Sequence, residues 1–223
     1  MIVAIDGPSG AGKSSVAKMV ARELGFSCLD TGAMYRAIAW AALQNGTSLS
    51  DEEALGRLAE MTKISFGHSE GDPVPKQVFI GDKEITNEIR TAEVDKAVSP
   101  VSAASSVREA LVAQQQRIGN AGNYVVEGRD IGTVVFPEAE VKIFLTASPE
   151  ERAHRRVRQN ADRCVGSIDY EEVLTDINRR DECDSTRETS PLIQADDAIL
   201  IDSTGKHIED VISQICEISK SRM

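Results

Sequence analysis

Eight residues near the amino terminus, Gly7-Pro8-Ser9-Gly10-Ala11-Gly12-Lys13-Ser14, fit the pattern G-x-x-x-x-G-K-[ST]. An apolar run precedes them and an amphipathic helical pattern follows, the context in which this loop cradles a phosphate. Its glycines let the backbone wrap an anion with successive N–H groups pointing inward, and the helix start adds its positive dipole. Lys13 supplies a point charge and Ser14 a hydroxyl able to ligate Mg²⁺, with Ser15 next in line. Kinases, ATPases, GTPases and motors all share this P-loop, so the second substrate must be read elsewhere. The guanine-specific pattern N-K-x-D is absent.

Three other segments carry chemistry-bearing residues. Leu29 to Arg36 brings Thr31, Tyr35 and Arg36 near the carboxyl end of a predicted strand, where open α/β sheets bind ligands. Spacing alone equally allows Tyr35 to be a core aromatic and Arg36 a solvated helix residue. Glu127-Gly128-Arg129-Asp130-Ile131-Gly132 ends another predicted strand, where P-loop proteins often carry an acid that helps hold Mg²⁺ or its waters. Its Arg129-Asp130 pair is either a rigid turn with an internal ion pair or a substrate clamp, and the position favours the clamp. Arg180, Asp184 and Arg187 are spaced to share a helical face, as a binding set or as a surface ion-pair ladder.

Composition narrows the partners. The 223 residues carry a formal charge of -11, so a long nucleic acid, whose affinity comes from a basic surface, is a poor fit. Yet eight of the sixteen arginines lie between residues 150 and 187. That concentration suggests a compact phosphate site or a salt-bridged helical surface. The longest apolar run, Ala37 to Leu43, is far short of the roughly 20 residues of a membrane span. The amino terminus has no basic leader and reads as a first strand, which points to the cytoplasm. Cys28, Cys164, Cys183 and Cys216 lack zinc-site spacing and read as reduced thiols.

The elements that must position these groups alternate. Ile2 to Ile5, Ser27 to Leu29, Tyr124 to Glu127, Val141 to Thr146 and Ala198 to Ile201 read as buried parallel strands separated by helical patterns. The spacing predicts helices after the P-loop as far as Gly25, from about Gly32 to Leu43, and a last one carrying Ile208, Val211, Ile212, Ile215 and Ile218. Ser50 with Glu53, Ser148 with Glu151 and Asp169 with Glu172 have capping-box spacing. Residues 63–90 break the rhythm: two short strands around a polar loop, Gly67 to Pro75, read as an insertion on one edge.

Taken together these segments resemble the bacterial cytidylate kinases. The likeness rests on the P-loop, then Asp-Thr-Gly-Ala-Met-Tyr-Arg from Asp30, then Glu-Gly-Arg-Asp-Ile-Gly-Thr-Val-Val-Phe-Pro from Glu127, then Arg-Arg-Asp-x-x-Asp-x-x-Arg from Arg179. It runs over nearly the whole chain, insertion included. The resemblance implies an α/β fold in one domain: a doubly wound five-stranded parallel sheet with helices on both faces, a monophosphate-binding lobe with small antiparallel strands, and a helical lid. The core would take about 1–35, 105–150 and 190–223, the lobe about 36–104 and the lid about 151–187. The implied reaction is transfer of the γ-phosphoryl of ATP, with Mg²⁺, to CMP or dCMP, in pyrimidine nucleotide metabolism; separately, no long apolar stripe demands a partner, so a monomer is expected.

Carried over residue by residue, the resemblance assigns Arg36 and Arg129 to the acceptor monophosphate, with Tyr35 beside them and Thr31 in the same pocket. Ser99, Arg108 and Asp130 would read the base, and Arg180, Asp184 and Arg187 the ribose and base edge. Arg155 is the best match for a lid arginine against ATP. Cytosine offers an N4 amino donor and an N3 acceptor, which suit a carboxylate and a guanidinium, whereas uracil presents the opposite polarity. Another acceptor for the same kind of kinase remains an alternative, as does a nucleotide switch without a small acceptor.

Overall fold

The first strand, β1 (Ile2–Asp6), is buried along its whole length, as expected of a strand inside a parallel sheet covered on both sides. The computed structural model describes residues 1–223. After β1 come α1 (Lys13–Leu24), β2 (Ser27–Asp30), α2 (Thr31–Asn45) and α3 (Glu52–Met61), then the short strands β3 (Ile64–Gly67), β4 (Gln77–Ile80) and β5 (Lys83–Glu84). Helices α4 (Ala92–Ala103) and α5 (Ser105–Gly119) lead to β6 (Tyr124–Glu127) and β7 (Val141–Thr146). Helices α6 (Pro149–Arg163) and α7 (Tyr170–Thr186), β8 (Ile199–Asp202) and α8 (Ile208–Lys220) complete the chain. The main sheet has the order β2-β6-β1-β7-β8, all parallel, and β3-β4-β5 form a separate antiparallel sheet.

Alternation along the strands divides the core in two. Ile2, Ala4, Leu29 and Val126 face one side, where Met34 and Ile38 of α2, Leu55 of α3 and Leu111 of α5 cover them. Val3, Ile5, Cys28, Val125 and Ile143 face the other, under Val16 and Val20 of α1 and Val211 and Ile215 of α8. The insertion shares the first core through Ile64, Val78 and Ile85.

The loop expected to be polar surface is more than that. Its Val74 is buried in the second core, the carbonyl of Pro73 accepts the N–H of Cys28 at 3.2 Å, and Arg22 donates to both oxygens of Asp72 at 3.2 and 3.1 Å. The loop therefore covers β2, an edge strand that would otherwise expose unpaired backbone.

Caps explain most boundaries. Gly25 and Gly46 close α1 and α2 in left-handed conformations. Ser148 accepts the N–H of Glu151, with Pro149 next, and Asp169 accepts that of Glu172. The third expected box is displaced: Asp51 caps α3 through Ala54 N–H, while Ser50 bonds to Ser48. The carboxylate is the stronger acceptor and stands directly before the helix. Helix α2 begins at Thr31 because Asp30 caps it, and the last strand runs one residue later than its apolar run suggests.

Candidate active site

Parallel register brings the carboxyl ends of three strands to one rim, with Asp30 and Ile5 both level with Glu127 and Asp6 one residue beyond Ile5. The P-loop wraps this rim. Gly7 has φ +146°, and a Cβ there would lie 1.9 Å from the carbonyl oxygen of Leu145, so only glycine fits. Gly12 is left-handed and opens α1. Ser9 to Ser15 line a cavity of about 1120 Å³, whereas Gly7 and Pro8, assigned to the same loop, do not line it.

Lys13 is buried and donates from Nζ to the carbonyls of Gly7 and Pro8, each at 2.7 Å. Burial, followed by the nearby charge of Arg129, holds its ammonium well below the usual lysine range. A phosphate in the loop would relieve both effects. Opposite it, burial and then the charge of Asp30 push Glu127 up to about 7. For Asp30 burial is outweighed by Arg90, 3.1 Å away, together with the Ala33 N–H and the charge of Lys18, and its carboxyl falls below the usual range.

These groups also decide what cation could sit here. Glu127 Oε1 is buried without a hydrogen-bond partner, and Ser14 lines the same cavity. No group of three or more His, Cys, Asp or Glu side chains forms a metal cage. One carboxylate and one hydroxyl are hard oxygen donors suited to Mg²⁺, which takes most of its ligands from phosphate and water. The residues fit that ion.

The other end of the cavity is built from side chains. Arg108 on α5 and Asp130, just after β6, form an ion pair in which the side chains are 2% and 5% exposed. The Arg108 guanidinium also donates to the carbonyl of Ser102 at 3.1 Å and lies 5.2 Å from the Tyr35 ring centre. Arg187, directly after α7, approaches Asp130 to 4.0 Å and Asp184 to 3.8 Å. Asp184 accepts from Arg129 Nε at 2.9 Å. Arg180 is pushed down to about 10 by burial and then by Arg129. Tyr35 Oη, Arg108 Nε, Arg180 Nε and Arg187 Nη2 are buried without partners. Desolvating a charge costs several kcal/mol and a buried pair returns little net stability. Such a crowd of arginines and carboxylates in a cleft is therefore better suited to binding a ligand than to holding a core.

Between the two ends stand Thr31, whose hydroxyl donates to the carbonyl of Glu127 at 2.7 Å, and Arg36, paired with Asp95 on α4. Asp95 also holds Arg156 of α6 at 3.0 Å, so one carboxylate on α4 ties α2 to α6. Arg155 is bound to Glu151 at 2.8 Å and to the Ser203 carbonyl at 2.8 Å, and it reaches the Ala11 carbonyl at 3.4 Å. That places it against the P-loop.

One cavity thus gathers Ser9 to Ser15, Thr31, Tyr35, Arg36, Arg108, Arg129, Asp130, Arg155, Arg180, Asp184 and Arg187. Ser99 does not line it. Its carbonyl accepts the hydroxyl of Ser102, and Val98 and Ser102, four residues apart on one face of α4, line the cavity instead. Sequence reasoning missed Asp6, Asp95, Arg90 and Arg156. Asp6 was legible as a carboxylate directly before the P-loop, whereas Asp95 carries no local signal because its partners are 59 and 61 residues away.

Comparison with known proteins agrees with this geometry. The family profile described as "Cytidylate kinase" matches residues 3–221. The chain is 50% identical over 220 residues to a cytidylate kinase of Enterococcus faecalis, covering 99% of this chain and 96% of that one. It is also 50% identical over 222 residues to a bifunctional pantoate ligase/cytidylate kinase of Trichormus variabilis, covering all of this chain but 42% of that longer protein. Among solved structures, an uncharacterized protein from Eubacterium ventriosum aligns over 100% of this chain and 99% of its own at a TM-score of 0.55 and 12% identity, a likeness of fold alone.

Proposed function

The chain belongs to the cytidylate kinase family of nucleoside monophosphate phosphotransferases, and from that premise we propose that its cavity aligns Mg-ATP on the P-loop with CMP or dCMP between Arg108, Asp130, Arg180 of α7 and Arg187 just after it. The observation that carries this reading is one cavity with Lys13 at one end and the buried Arg108–Asp130 pair at the other.

The acceptor phosphate oxygen is already anionic, so no general base is needed. Its lone pair forms the new bond to the γ-phosphorus of ATP as the bond to the β–γ bridging oxygen breaks, giving CDP or dCDP and ADP. Catalysis is then alignment and neutralisation of charge. Lys13 leaves the Gly7 and Pro8 carbonyls for the donor phosphates, and the loop amides hold those phosphates in line. Arg36 and Arg129 take the acceptor phosphate, and Arg155 stabilises charge on the transferring group. Asp130 accepts from the cytosine N4 amino group and Arg108 donates to N3. Ser14 and Glu127 would hold Mg²⁺ or its waters, and when bound that ion neutralises part of the phosphate charge. Closure of α6 and α7 over the cavity would exclude water.

The same reading makes the protein a cytoplasmic enzyme of pyrimidine nucleotide metabolism that works as a monomer. No helix is long and apolar enough to cross a membrane. The test is ADP release from Mg-ATP with CMP, dCMP, UMP, AMP or no acceptor. Fast turnover with CMP and dCMP and little with UMP is the expected outcome. Equal turnover with UMP would remove the base-reading roles, and acceptor-independent hydrolysis would remove the transfer itself.

A further inference from the structure

We infer that Asp6 is a positioning residue for base recognition, acting through the backbone of the loop that carries Asp130. Asp6 ends β1, directly before Gly7, and is buried. Its Oδ1 accepts the N–H of Ile131 at 2.8 Å and its Oδ2 the N–H of Gly132 at 2.7 Å. Those amides are the first and second after Asp130. Both oxygens of one carboxylate are thus spent on the backbone that aims a single base-reading side chain.

That loop needs outside support. Asp130 lies off any regular conformation, at φ −142° and ψ 26°, where the chain turns from β6 into the short π-helical segment Ile131–Val135. The carbonyl of Asp130 accepts from Val134 and Val135. No element before Asp130 fixes the amides that follow it, so the acceptor comes from the neighbouring strand. The groups facing Asp6 are few: Lys13 from α1, Asp130 itself, and the stem of Lys142 from β7, which touches Gly132. A Cβ on Gly132 would lie 3.1 Å from Lys142 Cδ and 3.4 Å from Asp6 Oδ2. Lys13 makes its own bonds to Gly7 and Pro8, which leaves Asp6 to the loop.

Burial disfavours the charge of this carboxylate, and what it returns is the pairing of two buried N–H groups that an apolar residue here would leave without an acceptor. The contact has a functional consequence. Asp6 is one bond from the P-loop and two hydrogen bonds from the Asp130 loop, so it ties the acceptor base to the frame that holds the donor. A shift of a few tenths of an ångström in residues 131 and 132 would move the Asp130 carboxylate against Arg108. Discrimination between cytosine and uracil depends on that register.

The inference rests on the base-reading role proposed for Asp130, and the test separates the two. Asp6→Asn keeps shape but sets an amide donor against one of the two N–H groups. Its kcat/KM for CMP should fall about 30-fold and that for UMP about threefold, narrowing the preference about tenfold, with KM for ATP nearly unchanged. CMP affinity measured by calorimetry without ATP should weaken in parallel. Equal losses on CMP and UMP would mean a merely structural role and overturn the inference, as would a raised ATP KM with the preference intact. Gly132→Ala crowds the same contact from the other side and should narrow the preference in the same direction. It decides the question if the Asp6 variant does not fold. A wild-type protein with no preference for CMP would overturn the role of Asp130, and this inference with it.

Discussion

The two ends of the cavity are built by different means. At the donor end seven consecutive residues, Ser9 to Ser15, line the wall, and its geometry is set by left-handed glycines and a helix start. At the acceptor end the charges come from α2, α4, α5, α7 and the turn after β6, and nearly every arginine is already held by a carboxylate: Arg36 by Asp95, Arg108 by Asp130, Arg129 by Asp184. A backbone cradle is made once, at folding, whereas an acceptor site of ion pairs must exchange protein partners for substrate. The donor end should therefore be unforgiving and general, and the acceptor end adjustable and selective.

The largest effect should come from the donor end. Lys13→Ala removes the one cation inside the loop, and turnover should fall by about a thousandfold or more with every acceptor, measured as ADP release. Substantial remaining activity would show that the loop amides suffice. At the acceptor end Asp130→Ala should be selective, losing about a hundredfold on CMP and only a few-fold on UMP. Because it strands the buried Arg108, thermal unfolding should show a lowered Tm as well. Equal losses on both acceptors would erase the proposed division of labour.

The same difference governs what could be read from the sequence. The P-loop, the five strands and the carboxyl-terminal helix follow from residues adjacent in the chain or spaced by two, three or four. Asp130 was legible beside Arg129 at the end of a predicted strand, but its partner Arg108 was reachable only through a family resemblance, because an ion pair 22 residues apart leaves no periodic trace. Asp95 was invisible for the same reason. Helices α4 and α5 were not read, since α4 contains Pro100 and α5 carries the run Gln114-Gln115-Gln116-Arg117. Val74 lay in a loop whose composition signals only surface, and it is buried because the loop wraps an edge strand.

A pH measurement probes the seam between the two ends. Burial raises Asp6 from an ordinary 3.8 to about 6, against the pull of its two N–H donors and helped by the charge of Asp130. Between those values the folded protein keeps a proton that the unfolded chain has released, so stability falls as pH rises from about 4 to about 6. The loss should be on the order of 2 kcal/mol and absent in Asp6→Asn. Denaturant unfolding of both proteins at pH 4.5 and 7 measures it. Identical slopes would mean that the N–H bonds keep Asp6 ionised throughout.

The smallest effect is the one that asks whether ion pairs at the acceptor end compete with substrate or prepare for it. Asp95 holds both Arg36 and Arg156, and burial, followed by the charges of Arg90, Arg156 and Arg36, holds the Arg163 guanidinium below its usual range. Two arginines thus share one carboxylate, with Arg163 close by, where the acceptor phosphate is proposed to bind. Asp95→Asn removes the competitor and raises the positive potential, so KM for CMP should fall by about three- to fivefold with kcat little changed. A wild-type optimum set by preorganisation predicts the reverse, because Arg36 would lose the partner that fixes its rotamer. A raised KM would therefore show that Asp95 aims Arg36 at the phosphate, and a lowered one that substrate binding is an exchange of carboxylate for phosphate.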